Sequence, residues 1–440
     1  MKVILASILL CAIAAPWWVT HAARSFAQSA TPIEWWIDVS RGRAARLAVE
    51  DFHAVTDLSV ADARVLSEVV RADLEFASLR LIPREQHALV KQDARSPNYY
   101  GWESIGADLV VRGTAEVQDG RLVSEIRIDA VKEKQTIFAT RYEGGRSPRD
   151  LAHRIADDFL LQIGHVGVAQ TRIAFTSDRD GTPGKEIYAM DYDGFNQQSV
   201  TWNQVLNLSP AWSPDGSQLA YISYAAKNPD LVRAVFGDRD HHVLMSERTS
   251  IGPEWSPDGA RIAFSSTRDG NAEIYVIEAD GSNLRRLTHH PSDDVSPSWS
   301  PNGLEIAFAS DRTGSPQIYI MDTDGLNQRR LTFEGSYNEQ PAWSPSRDFS
   351  EIAFTSRIED RGRFDIAVIN LTTNQVSQLT TGRGDNESPS WSPNGMHIVF
   401  SSNRTGSQQI FCMNRDGTEQ RQLTIDGNNT TPAWGPFRSR

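Results

Sequence analysis

Apolar and polar residues alternate along this chain in two different rhythms, which divide it near residue 166. Between residues 33 and 165 the pattern is mixed. Val65, Leu66, Val69, Val70 and Leu74 recur at helical spacing and predict a helix over 62–76 with one buried face. Residues 33–39, 46–52 and 79–82 read as strands, and a further strand series begins at Asp108. Asp119-Gly120 separates two extended runs and predicts a tight hairpin, because both central positions of that turn need positive φ. Ser147-Pro148-Arg149-Asp150 has the order of a helix start: a capping hydroxyl, proline in the first turn and an acid near the positive helix end. That helix is expected to run to about Ile163, with Gly164 and Gly167 marking its exit.

From residue 167 onward the rhythm becomes strictly repetitive. Trp212, Trp255, Trp299, Trp343, Trp391 and Trp434 recur every 43–48 residues, each in a frame of the type Pro-x-Trp-Ser-Pro. An alternating apolar strand follows each of the first five, such as Ile262-Ala263-Phe264 and Ile306-Ala307-Phe308. A third strand comes next in most repeats, such as Ile318-Tyr319-Ile320-Met321, then an Asp-Gly turn and a closing Leu-Thr. Four short strands per repeat at this period predict a propeller blade. Ile173-Ala174-Phe175 opens a repeat with no tryptophan frame before it, while Pro432-Ala433-Trp434 has no strand after it. Each supplies what the other lacks. The expected fold is therefore an all-β six-bladed propeller (167–440), its ring closed by the C-terminal strand, preceded by a smaller α/β domain (28–166). The second repeat departs from the pattern between Ser223 and Met245, so an irregular blade is expected there.

The ends add a compartment. Lys2 and the apolar run 3–16, followed by small residues, read as an export leader over 1–27, cleaved near Ala27 or Ala30. The run is short for a membrane span, and no second one follows, so the mature chain is expected not to cross a membrane. Once Cys11 leaves with the leader, Cys412 has no partner for an intramolecular disulfide. Net charge is −12, from 44 Lys+Arg against 56 Asp+Glu, with no basic stripe, which argues against a nucleic-acid partner.

Candidate chemistry is sparse. His53, His87 and His153 stand far apart in sequence, and no glycine-rich phosphate loop is present. Asp191-x-Asp193-Gly194 and Asp322-x-Asp324-Gly325 resemble the opening of a calcium loop but lack its distal glutamate. No cofactor, metal or catalytic residue is assigned. The six tryptophans are expected to be core residues between blades. In an up-and-down blade the short Ser-Pro-Asp-Gly and Asp-x-Asp-Gly turns share one face. The longer second-to-third connections and the inter-blade links share the other, where binding is expected. Those longer segments carry Arg179, Arg268, Arg312 and Arg404, with Asp293, Asp294, Val295, Asn338, Glu339, Asn386 and Glu387 between blades.

An export leader, an α/β domain and six Pro-x-Trp-Ser-Pro repeats, in that order, resemble the TolB family, periplasmic components of the Tol–Pal system of Gram-negative bacteria. The junction is especially similar: Thr171-Arg172-Ile173-Ala174-Phe175, then Asp191-Tyr192-Asp193-Gly194-Phe195-Asn196-Gln197. The resemblance implies a non-enzymatic, monomeric protein that binds the lipoprotein Pal at one channel mouth and TolA through its mature N-terminus, supporting outer-membrane integrity and constriction at division. Carried over, the Pal-facing positions are Ser250, Gly252, Asp293, Val295, Asn338 and Asn386 with the neighbouring residues named above. The TolA-engaging segment is 28–38, including Gln28, Ile33, Glu34 and Asp38. Trp35-Trp36 makes that segment bulkier than the family's usual strand. Two rivals remain at this point: another exported propeller that binds a peptide or glycan, and a prolyl-oligopeptidase-like hydrolase. The second needs a Gly-x-Ser-x-Gly elbow, which the sequence lacks.

Overall fold

The computed structural model describes residues 45–90, 97–145, 147–226, 228–246, 250–357, 362–382 and 384–437. The leader, the strand expected at 33–39, and Gln28, Ile33, Glu34 and Asp38 lie outside the described residues. The N-terminal elements run β1 (Arg46–Val49), β2 (His53–Ala54), α1 (Val60–Phe76), β3 (Arg80–Leu81), α2 (Arg84–His87), α3 (Tyr99–Ser104), β4 (Leu109–Gln118), β5 (Arg121–Ala130), β6 (Gln135–Glu143) and α4 (Pro148–Gln162). The sheet order is β3-β1-β4-β5-β6, with β1 parallel to both neighbours and β4 to β6 an antiparallel meander. Leu66 and Val70 of α1 and Ile155 and Phe159 of α4 bury against Leu47, Val111, Ile126 and Ile128 of the sheet. The predicted local signals hold. Asp119 and Gly120 both have positive φ, 49° and 74°, and the Ser147 hydroxyl accepts from the Asp150 amide at 3.2 Å.

Among the described residues, residues 172–434 form six four-stranded antiparallel sheets. Asn429–Trp434 pairs with Arg172–Ser177, with Asn429 opposite Ser177 and Trp434 opposite Ile173, so the chain's last strand completes its first blade. The other first strands are Asn207–Trp212, Ser250–Trp255, Asp294–Trp299, Tyr337–Trp343 and Asn386–Trp391. Consecutive first strands touch around the ring, which makes them the innermost ones. Closure leaves no innermost strand edge unprotected. Each frame tryptophan packs back onto the preceding blade. Trp299, for example, lies among Ala263, Ile274 and Val276 of the third blade and Ile306 and Phe308 of its own. Trp343 is the one of the six that is only partly buried.

Two expectations need correction. The second blade is complete: Asp230–Val235 pairs with Gln218–Ser223 on one side and His241–Met245 on the other. Its third strand is hard to read from sequence because Arg233 interrupts the apolar run. The Arg233 guanidinium leaves the blade to donate to the Ala279 carbonyl at 2.8 Å, while Leu231, Val232 and Ala234 stay buried. The blade is irregular in a register shift between Leu231 and Val232 and in a fourth strand of five residues, longer than in the other blades. Moreover, Ser250, Gly252, Asp294, Val295, Asn338, Glu339, Asn386 and Glu387 lie in first strands, not in loops. The strands begin with polar residues, so apolar alternation alone places their starts too late.

The N-terminal domain sits over the seam where the ring closes. Phe76 of α1 stacks on His397 at 4.1 Å and packs on Tyr192 at 5.0 Å. The Asn394 amide donates to the Val166 carbonyl at 2.8 Å, and Arg149 pairs with Asp193. Asn394, Tyr192 and Asp193 all belong to the short turns. These contacts thus use the short-turn face, and the opposite face carries none of them.

Candidate partner-binding face

The open face is built on a repeated polar lock. In four of the six blades the first residue of the third strand (Glu186, Gln317, Asp365, Gln409) accepts from the next blade's first-strand asparagine: Asn207 at 3.0 Å, Asn338 at 2.9 Å, Asn386 at 2.9 Å and Asn429 at 2.8 Å. The same acceptors take the hydroxyl of Thr201, Thr332, Thr380 or Thr424, whose oxygen in turn accepts a strand amide of its own blade. Asp294 stands where four of the other blades have asparagine, and the third strand of the blade before it begins with another acid, Glu273. Arginines balance the two acids: Arg312 grips both Asp294 oxygens at 2.9 Å, and Arg286 reaches Glu273 at 2.6 Å. Asp294, Asn338 and Asn386 are therefore fully buried and join blades rather than facing outward. Asp293 is exposed, with one oxygen accepting from the Ala272 amide at 2.8 Å.

Three of the four predicted arginines lie folded against their own blades. Arg179, Arg312 and Arg404 each donate Nε to the serine two residues earlier, one Nη to a glutamine (Gln197, Gln328, Gln420) and the other Nη to Asn429, Asp294 or Asn386. Each guanidinium also lies over two aromatic rings, such as Phe308 and Tyr319 under Arg312. Arg268 differs. Leu284 and Ser250 replace the glutamine and the first-strand partner, and its Nη1 lies 3.8 Å from the Met245 sulfur. The structure therefore does not bring the four arginines together as a free cationic ring.

What rims the channel is set by a bulge repeated six times. In every first strand the register shifts around the residue three positions before the frame tryptophan, which has positive φ: Ser209, Gly252, Ser296, Gln340, Ser388 and Thr431, between 47° and 58°. Only one of the six is glycine. The other five hold a conformation that disfavours a Cβ, and at two of them a neighbouring hydroxyl accepts the bulge amide: the Ser296 amide donates to Ser265 Oγ and the Ser388 amide to Thr355 Oγ1, both at 3.0 Å. Just before each bulge stand Leu208, Ile251, Val295, Glu339, Glu387 and Thr430. The rim is thus divided, apolar over three consecutive blades and acidic over the next two. Burial, reinforced by the charges of Asp385 and Glu339, raises the pKa of Glu387, while Gln408 opposes the shift. Deeper on the third blade's first strand, burial pushes Glu254 up to about 7.

Around this rim lies an apolar surface that reading the segments singly did not find. The residue after each buried link threonine points outward: Trp202, Phe333 and Ile425 are 50%, 74% and 79% exposed, and His289 and Thr381 occupy the same position. Aligning the closing Leu-Thr of four repeats with Val200-Thr201 of the first reveals the series, including Trp202, which otherwise falls outside the tryptophan frame. Together with Ile251, 44% exposed on the third blade's first strand, Trp202, Phe333 and Ile425 put large apolar groups on the surface of several blades.

Fold and site together define a two-domain β-propeller protein with an α/β domain on one face and the other face uncovered by it. Comparison with known proteins is specific. Residues 161–438 match the TolB beta propeller domain model and residues 36–136 the TolB amino-terminal domain model, and the chain belongs to the TolB family. It is 39% identical to the Tol-Pal system protein TolB of Bordetella avium over 394 residues, 87% of each chain. With the TolB of Desulfosudis oleivorans it shares 41% identity over 189 residues, 42% of this chain and 43% of that protein. Crystalline TolB from Acinetobacter baumannii superposes with a TM-score of 0.78 at 25% identity, covering 90% of this chain and 97% of that one.

Proposed function

We propose that this chain is a non-enzymatic, periplasmic component of a Tol–Pal system, whose propeller mouth binds the lipoprotein Pal and whose mature N-terminal segment, 28–38, engages TolA. Through these contacts it supports outer-membrane integrity and constriction at division. The observation that carries the reading is the divided rim of Leu208, Ile251, Val295, Glu339 and Glu387 encircled by exposed Trp202, Phe333 and Ile425. That surface lies on the face away from the N-terminal domain, in a chain whose relatives are named as Tol-Pal system proteins. Arg179, Arg312, Arg404, Asp294, Asn338 and Asn386 act in it by holding the blades that present the rim. The rim and apolar ring make the direct contact, with Gly252 and Asp293 beside them.

A photo-crosslinker placed at Phe333 and, as a control, at the opposite-face residue Met396 tests this in cells. Pal captured from position 333 and not from 396 is expected. Equal capture from both, or none from either, contradicts the assignment of the face. Deleting 28–38 is expected to remove TolA capture and leave Pal capture intact.

A further inference from the structure

The contact between the two domains holds a cluster of titratable groups that the partner face does not use. His153 of α4 and Asp73 of α1 are both buried, with His153 Nδ1 2.8 Å from Asp73 Oδ2. Tyr192 of the first blade donates its hydroxyl to the other Asp73 oxygen at 2.6 Å. Beside it Asp193 pairs with Arg149 of α4, whose guanidinium also lies 3.9 Å over the Phe195 ring. The second ring nitrogen, His153 Nε2, is buried with no hydrogen-bond partner among the described residues, and stands 4.0 Å from Asp193 Oδ2.

Asp73, His153 and Asp193 lie close enough together to suggest a metal site. Their arrangement argues against one. Their donor atoms are already engaged: His153 Nδ1 is hydrogen-bonded to Asp73 Oδ2, and the other Asp73 oxygen accepts from Tyr192. On the Nε2 side the Asp193 carboxylate already holds Arg149. Protons fit better. With a neutral imidazole the cluster sets two carboxylates against one guanidinium, and a proton on the ring balances it. The groups facing the ring are Asp73 from α1, Arg149 from α4, and Tyr192 and Asp193 from the propeller turn. Beyond them, Arg421 of the sixth blade lies 3.7 Å over Phe76 and 5.8 Å from the Tyr192 ring.

We propose that His153 is a proton-operated clasp between the domains: the charged ring is held between Asp73 of its own domain and Asp193 of the propeller, and loss of its proton loosens the docking. Burial alone would lower the pKa of His153. The hydrogen bond to Asp73 and the charges of Asp73 and Asp193 outweigh burial and the opposing Arg149, so the net shift is upward. The sign follows by linkage. Asp73 belongs to the ring's own domain, so among the raising causes only the charge of Asp193 is gained by docking; the stabilisation it gives the charged ring is fully present below the free histidine value, near pH 6.5, and is lost as pH rises through the raised value. The clasp lies on the face opposite the rim and does not depend on the identity of the partner there.

Hydrogen–deuterium exchange of the mature full chain reads docking at the turn amides 192–197, and the ring proton can be followed by NMR. Protection of that turn is expected to fall between pH 6 and pH 8 after correction for intrinsic exchange, by up to about tenfold for each unit by which docking raises the ring's pKa. In His153→Gln the pH dependence is expected to vanish, and in Asp193→Asn to shrink, with the ring titrating lower than in wild type. Protection independent of pH in the wild-type chain overturns the proposal, as does the same pH profile in His153→Gln or a wild-type ring titrating below 6.5. Should His153→Gln fail to fold, Asp193→Asn and the wild-type ring titration decide the matter.

Discussion

Single residues do unusually separable work in this propeller, because the same position recurs in each blade with different side chains. Asn338 shows the consequence. Its amide donates to Gln317 and to the Glu334 carbonyl and accepts from Ser356, all in a fully buried setting. Asn338→Ala leaves those partners unpaired and is expected to cost about 1–3 kcal/mol in chemical denaturation. A loss of partner binding no larger than the loss of folded protein would show that its role is structural. Gly252 makes the opposite comparison. A Cβ there meets only the Ser296 Cα, at 3.9 Å, so the cost of Gly252→Ala is conformational and about 1 kcal/mol, comparable to what the five non-glycine bulges already tolerate. Glu254 adds a pH signature. A folded-state carboxyl pKa raised to about 7 means that folding favours the protonated form, so stability declines as pH climbs from the free carboxylate range past 7. Glu254→Gln is expected to match wild type at pH 5 and exceed it by ~1–2 kcal/mol at pH 8, a figure discounted because the side chain is half-buried. Equal melting temperatures at pH 8 contradict this.

At the scale of elements, the tryptophans and strands explain what could be read ahead of the structure. Trp299 is buried between two blades and donates Nε1 to the Glu254 carbonyl at 3.3 Å, so Trp299→Ala removes both packing and a bond across the seam. A loss of about 3–5 kcal/mol is expected, read as a lowered midpoint in urea. The six-fold tryptophan spacing, the alternating second strands and the Asp119-Gly120 hairpin were legible because each is a local pattern with a local cause. The third strand of the second blade was not. Arg233 breaks its alternation and finds its partner, the Ala279 carbonyl, on another blade. The starts of the first strands were hidden for a related reason: Asn338 and Asn386 look like loop residues until the acceptors on the preceding blade are seen. The candidate face was legible only as a face. Which of its residues look outward depends on burial, and burial reversed the roles expected of the arginines and asparagines.

The whole molecule joins two surfaces that meet different demands. One face is committed to the N-terminal domain through Phe76, His153 and Arg149; the other keeps a divided rim and an apolar ring uncovered by it. Ring closure holds both together, since Asn429–Trp434 supplies the innermost strand of the blade on which the N-terminal domain rests. Removing residues 429–440 is therefore expected to loosen the domain contact along with the propeller, seen as lost protection at both 172–177 and 192–197. Loss at the first segment alone would show that docking does not need the closed ring. The central claim, a protein partner seated on the open face, is tested most directly by calorimetric titration of the mature chain with the periplasmic domain of Pal from the same organism. Saturable binding is expected, weakened at least about tenfold by Ile251→Asp and by Phe333→Ala, as for central apolar contacts, and unchanged by Asp193→Asn on the opposite face. No heat of binding, or an affinity indifferent to both rim substitutions, contradicts it.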